Sequence, residues 1–117
     1  MTAAHLITEK ELLRTVVELA HTFGWLVYHQ VDMGHRDDAG RVHYSRRIGP
    51  GFPDLVLCQP VTGRLIFAEL KAQNGHISGP QQEWLYALEN SKSSVTYLWK
   101  PSDLPDIEKI LAGDGIA

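Results

Sequence analysis

The chain has 117 residues, the size of one ordinary domain, and is 44% apolar, which is enough to bury a core and excludes an intrinsically disordered chain. No apolar run approaches the roughly 18 residues a membrane span needs, residues 1–10 lack a basic-then-apolar leader pattern, and a single cysteine, Cys58, can make neither an internal disulfide nor a cysteine zinc site. The formal charge of −3 argues weakly against a nucleic-acid partner, yet residues 35–47 hold four of the 11 Lys and Arg and two histidines.

Taken in chain order, residues 8–23 are predicted as a helix. Leu12, Val16, Leu19, Ala20 and Phe23 recur at three- and four-residue spacing. Thr8 and Glu11 make a capping-box pattern at its start, and Gly24 stands where a C-cap glycine belongs. Residues 25–30 read as a strand from their aromatic and branched side chains. Residues 31–52, punctuated by Gly34, Gly40, Gly49, Pro50 and Gly51, read as one long loop, and a loop of that length usually carries function. Residues 53–59 and 64–72 are two apolar strands joined by the turn Pro60-Val61-Thr62-Gly63. A helix over 78–90, opened by Ser78 and Pro80, a strand over 94–99 and a short helix over 101–111 complete the order.

That order predicts an α/β fold with a mixed central β-sheet flanked by helices. The hairpin strands, apolar on both faces, belong in the middle and covered on both sides. The crossover helix makes the last strand parallel to its neighbour. One domain over residues 1–117 is expected. His5, His21 and His76 show no ligand spacing and read as solvated, and Trp84, Leu85 and Leu88 read as core.

The hairpin can be paired by arithmetic. A four-residue turn over 60–63 puts Gln59 opposite Arg64, and stepping back along both strands puts Asp54 opposite Glu69. Cross-strand partners share a face, and the two-residue period places Lys71 on it as well. One reading makes Lys71 a neutralising charge at a strand end. It leaves unexplained two facing carboxylates, which destabilise a sheet and are costly to bury unpaired. A divalent cation resolves both difficulties, since carboxylate oxygens suit Mg²⁺ and Mn²⁺. Lys71 then has a use beside the metal, orienting or helping to deprotonate a water.

Gly51-Phe52-Pro53-Asp54-Leu55, Ala68-Glu69-Leu70-Lys71 and Ile77-Ser78-Gly79-Pro80-Gln81 together resemble the PD-(D/E)xK nuclease superfamily and, more narrowly, its VRR-NUC domain. The resemblance runs from about Thr8 to Trp99. It implies a restriction-endonuclease-like core and hydrolysis of DNA phosphodiester bonds with Mg²⁺ or Mn²⁺. It also implies metal ligation by Asp54, Glu69, an acid on the first helix and the carbonyl of Leu70, with Gln81 supporting a catalytic Lys71. Glu9 is the first-helix acid of choice: it lies three residues before Leu12 and seven before Val16, on the face that docks. A favourable charge at the positive helix end is its other reading. Glu11 lies in line with Thr15, Glu18 and Thr22, and capping explains it. Gln81 is also the third residue of a capping box begun by Ser78, and the two roles are compatible.

Arg36, Arg41, Arg46 and Arg47 lead into Pro53-Asp54. They are candidate phosphate contacts that hold DNA without reading sequence, or else a solvated face. The competing function is a non-catalytic DNA-binding module that retains the nuclease fold. Likeness to stand-alone phage and bacterial members implies a homodimer acting on branched DNA such as four-way junctions, in the cytoplasm of a bacterial or phage-infected cell. A two-fold dimer supplies two matched sites. Either residues 31–52 or an apolar patch from Ile107, Ile110 and Leu111 would form its interface.

Overall fold

The structure, a computed structural model, describes residues 6–29, 35–36, 38–43 and 50–113, and only the backbone of His35, Arg36, Val42 and His43. Helix α1 (Glu9–Thr22) starts where its capping box puts it. Thr8 Oγ1 accepts the Glu11 N–H at 3.0 Å, and the Glu11 carboxylate turns back to the Thr8 hydroxyl at 2.9 Å. At the other end the Gly24 N–H reaches the His21 carbonyl and the Trp25 N–H reaches the Ala20 carbonyl. This double bond pattern needs a left-handed residue at Gly24, whose φ is +83°. Leu12, Val16 and Ala20 form its fully buried inner face.

Strands β1 (Leu26–His29), β2 (His35–Arg36), β3 (Val42–His43), β4 (Leu55–Cys58), β5 (Leu65–Leu70) and β6 (Val95–Trp99) alternate with α1, α2 (Gly79–Glu89) and α3 (Leu104–Ala112). The main sheet runs β1-β4-β5-β6. The first two pairings are antiparallel and β5·β6 is parallel, because a hairpin joins β4 to β5 whereas α2 carries the chain back before β6. This is the mixed α/β sheet expected, with the hairpin strands at its centre.

The long loop is a correction. Residues 31–52 contain a separate ladder in which His35 faces His43 and Arg36 faces Val42. Two-residue strands carry no periodic signal, so the sequence shows only the turn residues between them, including Gly40 at φ +82°.

Coverage of the sheet is also unequal. Leu55, Leu57, Ile66, Ala68 and Leu70 are sealed in one core with the inner faces of α1 and α3. The opposite face carries Val56, Cys58, Leu65 and Phe67, which are half-buried. Among described residues α2 serves that side, lying by β6, and on β1 Leu26 and Tyr28 remain 63% and 61% exposed. Ile107 and Leu111 do not form a surface patch; both are buried, because α3 presents them to α1 and the sheet. The Trp25 indole N–H donates to the Leu111 carbonyl at 2.8 Å in the interior, tying α3 to the start of β1. No described helix is long and apolar enough to cross a membrane.

Candidate metal and catalytic site

The turn over 60–63 closes with a Gly63 N–H to Gln59 carbonyl bond of 2.8 Å, and the Gln59 N–H reaches the Arg64 carbonyl at 2.9 Å. From there Cys58 faces Leu65 and Leu55 faces Ala68. One further step brings Asp54 opposite Glu69, the pairing that the turn length predicts. Ladder pairing stops at Leu55, and the Asp54 carboxylate takes over, accepting the Leu70 N–H at 2.8 Å. A residue's N–H and C=O leave a strand on the same side, so the Leu70 carbonyl faces this edge too. Leu70 lines the cleft there with Asp54, Glu9 and Lys10.

Glu69 is the one buried charged side chain among the described residues, at 1% exposure. One of its oxygens accepts from the Gln81 amide at 3.0 Å, and Oε2 is buried without a hydrogen-bond partner. Burial first, then hydrogen bonding and charge from Asp54, drive its pKa up from the usual 4.5 to about 9, against a lowering by Lys71. Burial and the neighbouring Asp54 thus both favour the protonated form of Glu69.

Glu9 joins from the other side of the sheet edge. Although exposed, it offers a carboxylate oxygen within 4.8 Å of oxygens from Asp54 and Glu69. Three carboxylates at that separation repel one another, and a hard divalent cation with oxygen ligands is the group they fit. The buried, unpartnered Oε2 fits it as well. Glu11 stays on the capping box and outside the cluster. Lys71 is half-buried at the end of β5 with its N–H on the Trp99 carbonyl, and its ammonium acts on Glu69 through charge.

Gln81 fills the expected capping role and makes, with the same side chain, a second contact other than the expected one. Its oxygen accepts the Ser78 N–H at 2.8 Å, completing the α2 capping box, and its nitrogen donates to Glu69. A backbone N–H on one side and a carboxylate on the other leave only this orientation of the amide. The bond to Glu69 replaces the expected support of Lys71.

Sequence reasoning missed what holds α2 in place. Gly51, at φ +83°, lies so close to the start of α2 that a Cβ would sit 2.5 Å from the Pro80 carbonyl carbon and 2.6 Å from the Gln81 nitrogen. Phe52 follows, edge-on to Phe67 at 5.9 Å and to Trp84 at 4.9 Å. Gly51 and Phe52 thus fasten α2 over β5 just before Pro53 and Asp54. The glycine stood in the motif, but its contact is tertiary and has no local signal.

Arg41 is exposed beside the small ladder. Arg46, Arg47 and the Arg36 side chain lie outside the described residues.

A family model described as the VRR-NUC domain matches residues 7–98. No curated protein and no solved structure matches the chain.

Proposed function

The chain belongs to the VRR-NUC family, which implies a nuclease-type function, and from that premise we propose a divalent-metal-dependent deoxyribonuclease. The observation that carries the reading is the cluster of Glu9, Asp54 and Glu69 around an oxygen that nothing else satisfies. Those carboxylates, with the carbonyl of Leu70, would hold Mg²⁺ or Mn²⁺. Bound there, the ion supplies Lewis-acid polarisation of a phosphate and a water of lowered pKa.

The chain's own residues do the rest. Asp54 is fixed by the Leu70 N–H, so its second oxygen is free to face the cluster. Gln81 holds one oxygen of Glu69 and leaves Oε2 directed to the same place. Lys71 orients the attacking water and offsets the negative charge that grows on the phosphate oxygens. Arg36, Arg41, Arg46 and Arg47 remain candidate phosphate contacts. A binding module that merely retained the fold would have no need of the full set, and Asp54, Glu69 and Lys71 are all present.

Cleavage of labelled DNA in Mg²⁺ and Mn²⁺ tests the proposal. Asp54→Asn, Glu69→Gln and Lys71→Ala should each reduce the rate by about 100-fold or more. Wild-type turnover by pure Asp54→Asn would reject the assignment. DNA binding with no cleavage by the wild type in either ion would favour the binding module.

The finer parts of the proposal are a homodimer and a preference for branched DNA. Paired cuts across a four-way junction call for two sites related by a two-fold axis. The exposed Leu26 and Tyr28 give β1 an apolar face to offer a second copy. Light scattering at the 13.1 kDa chain mass, or equal cleavage of linear duplex and junction, would remove this part and leave the generic nuclease. Placement in a bacterial or phage-infected cytoplasm belongs with it.

A further inference from the structure

We propose that the groove between α1 and β1 is the track along which a DNA strand reaches the acid cluster. The proposal rests on the nuclease reading and names where that substrate is gripped. Lys10, Arg14 and His21 are spaced by four and seven residues, so they form one stripe along α1 beside its buried face. Across from them His29 projects from β1. Its partner in the register is Leu55 of the sealed sheet face, so it stands on the α1 side of the sheet. Between these walls the half-buried Leu13 and Val17 make an apolar floor.

The groove has a direction. Lys10 and Leu13 line both it and the cleft that contains Glu9, Asp54 and Leu70, so the two depressions adjoin. From Lys10 to His21 the helix advances about 16 Å, the axial length of about five nucleotides of one DNA strand. Cations on the rim suit phosphates, and an apolar floor suits the faces of sugars. Arg14 is the one guanidinium fork among the lining residues, so the groove holds the strand chiefly through its phosphates and reads little of its sequence. Glu18 is the one acid among the groove's lining residues. An acidic protein could satisfy the same charges, but it would have no reason to follow a groove that adjoins the cleft of the carboxylates.

The test is binding of a fluorescein-labelled duplex by anisotropy across a KCl series, in Ca²⁺ to suppress turnover. Lys10→Gln combined with Arg14→Gln should weaken binding and flatten the log–log salt slope by about 1.8, from 0.9 for each lost phosphate contact. Glu18→Lys should tighten binding and steepen the slope by about 0.9, a gain that a poorly folded variant does not give. Slopes at the wild-type value in both variants would overturn the groove as a DNA track, as expected if its partner were an acidic protein, and would leave the nuclease reading intact. A wild-type chain that binds no DNA at low salt would overturn both.

Discussion

Glu69→Gln isolates the electrostatic cost of assembling the acid cluster. In the folded protein the Glu69 carboxyl is driven up to about 9 from 4.5, first by burial and then by Asp54. Between those pH values the native state holds a proton that the unfolded chain has released. Stability therefore falls as pH rises through that window, by at most about 1.4 kcal/mol per pH unit, and levels off above pH 9. From pH 6 to pH 8 the metal-free wild type should lose up to about 2.7 kcal/mol more than Glu69→Gln, or about 10 °C in melting temperature for a chain of this size. The glutamine keeps an acceptor for Gln81 and gains an N–H for Asp54, so the variant should be the more stable protein at pH 8. Urea denaturation in EDTA at the two pH values measures the difference directly. Adding Mn²⁺ should reverse the wild-type trend, since ligands must lose their protons to bind metal. Parallel pH profiles for the two proteins in EDTA would refute the argument.

Three further outcomes follow from the same geometry. Glu9→Gln should raise the Mg²⁺ concentration for half-maximal cleavage about tenfold or more, whereas Glu11→Gln should stay near wild type because glutamine still serves the cap; the opposite order would reject Glu9 as a ligand. Gly51→Ala should cost more than about 2 kcal/mol in urea denaturation, from the left-handed backbone and the 2.5 Å approach of its Cβ to Pro80; an unchanged midpoint would contradict that clamp. Gln81→Glu should keep the cap but set a further carboxylate against Glu69, so in EDTA its stability loss should grow with pH, while Gln81→Ala should lose about 1 kcal/mol at every pH.

The sequence was readable wherever the determinant was local. Thr8 with Glu11 and Ser78 with Gln81 announce helix starts because a cap joins residues three apart. Asp54 could be set against Glu69 because a turn of known length fixes the parity of everything behind it. Where contacts join distant segments the signal fades. Nothing in Gly51 says that Pro80 and Gln81 lie against it, and nothing in Gln81 says that its amide goes to Glu69 and not to Lys71. Ile107 and Leu111 look the same on a surface patch as in a core. Lys10, Arg14 and His21 escape a search for charge clusters because Glu11 and Glu18 fall between them in sequence; helical periodicity gathers the three on one side, leaves Glu11 off the groove and keeps Glu18 on it.

The bond between the Trp25 indole and the Leu111 carbonyl bears on how the protein is made. Helix α1 leaves the ribosome well before α3, yet it buries Leu12, Val16 and Ala20 in a core whose other wall includes Ile107 and Leu111. Until α3 has emerged, α1 lacks part of its seat, and an indole N–H that ends up in the interior lacks its acceptor. Glu9 reaches the other two acids only when α1 is docked. A nascent or truncated chain ending before Leu104 therefore carries Asp54 and Glu69 without a fixed third carboxylate, so synthesis order itself delays assembly of the complete acid triad until α3 has emerged.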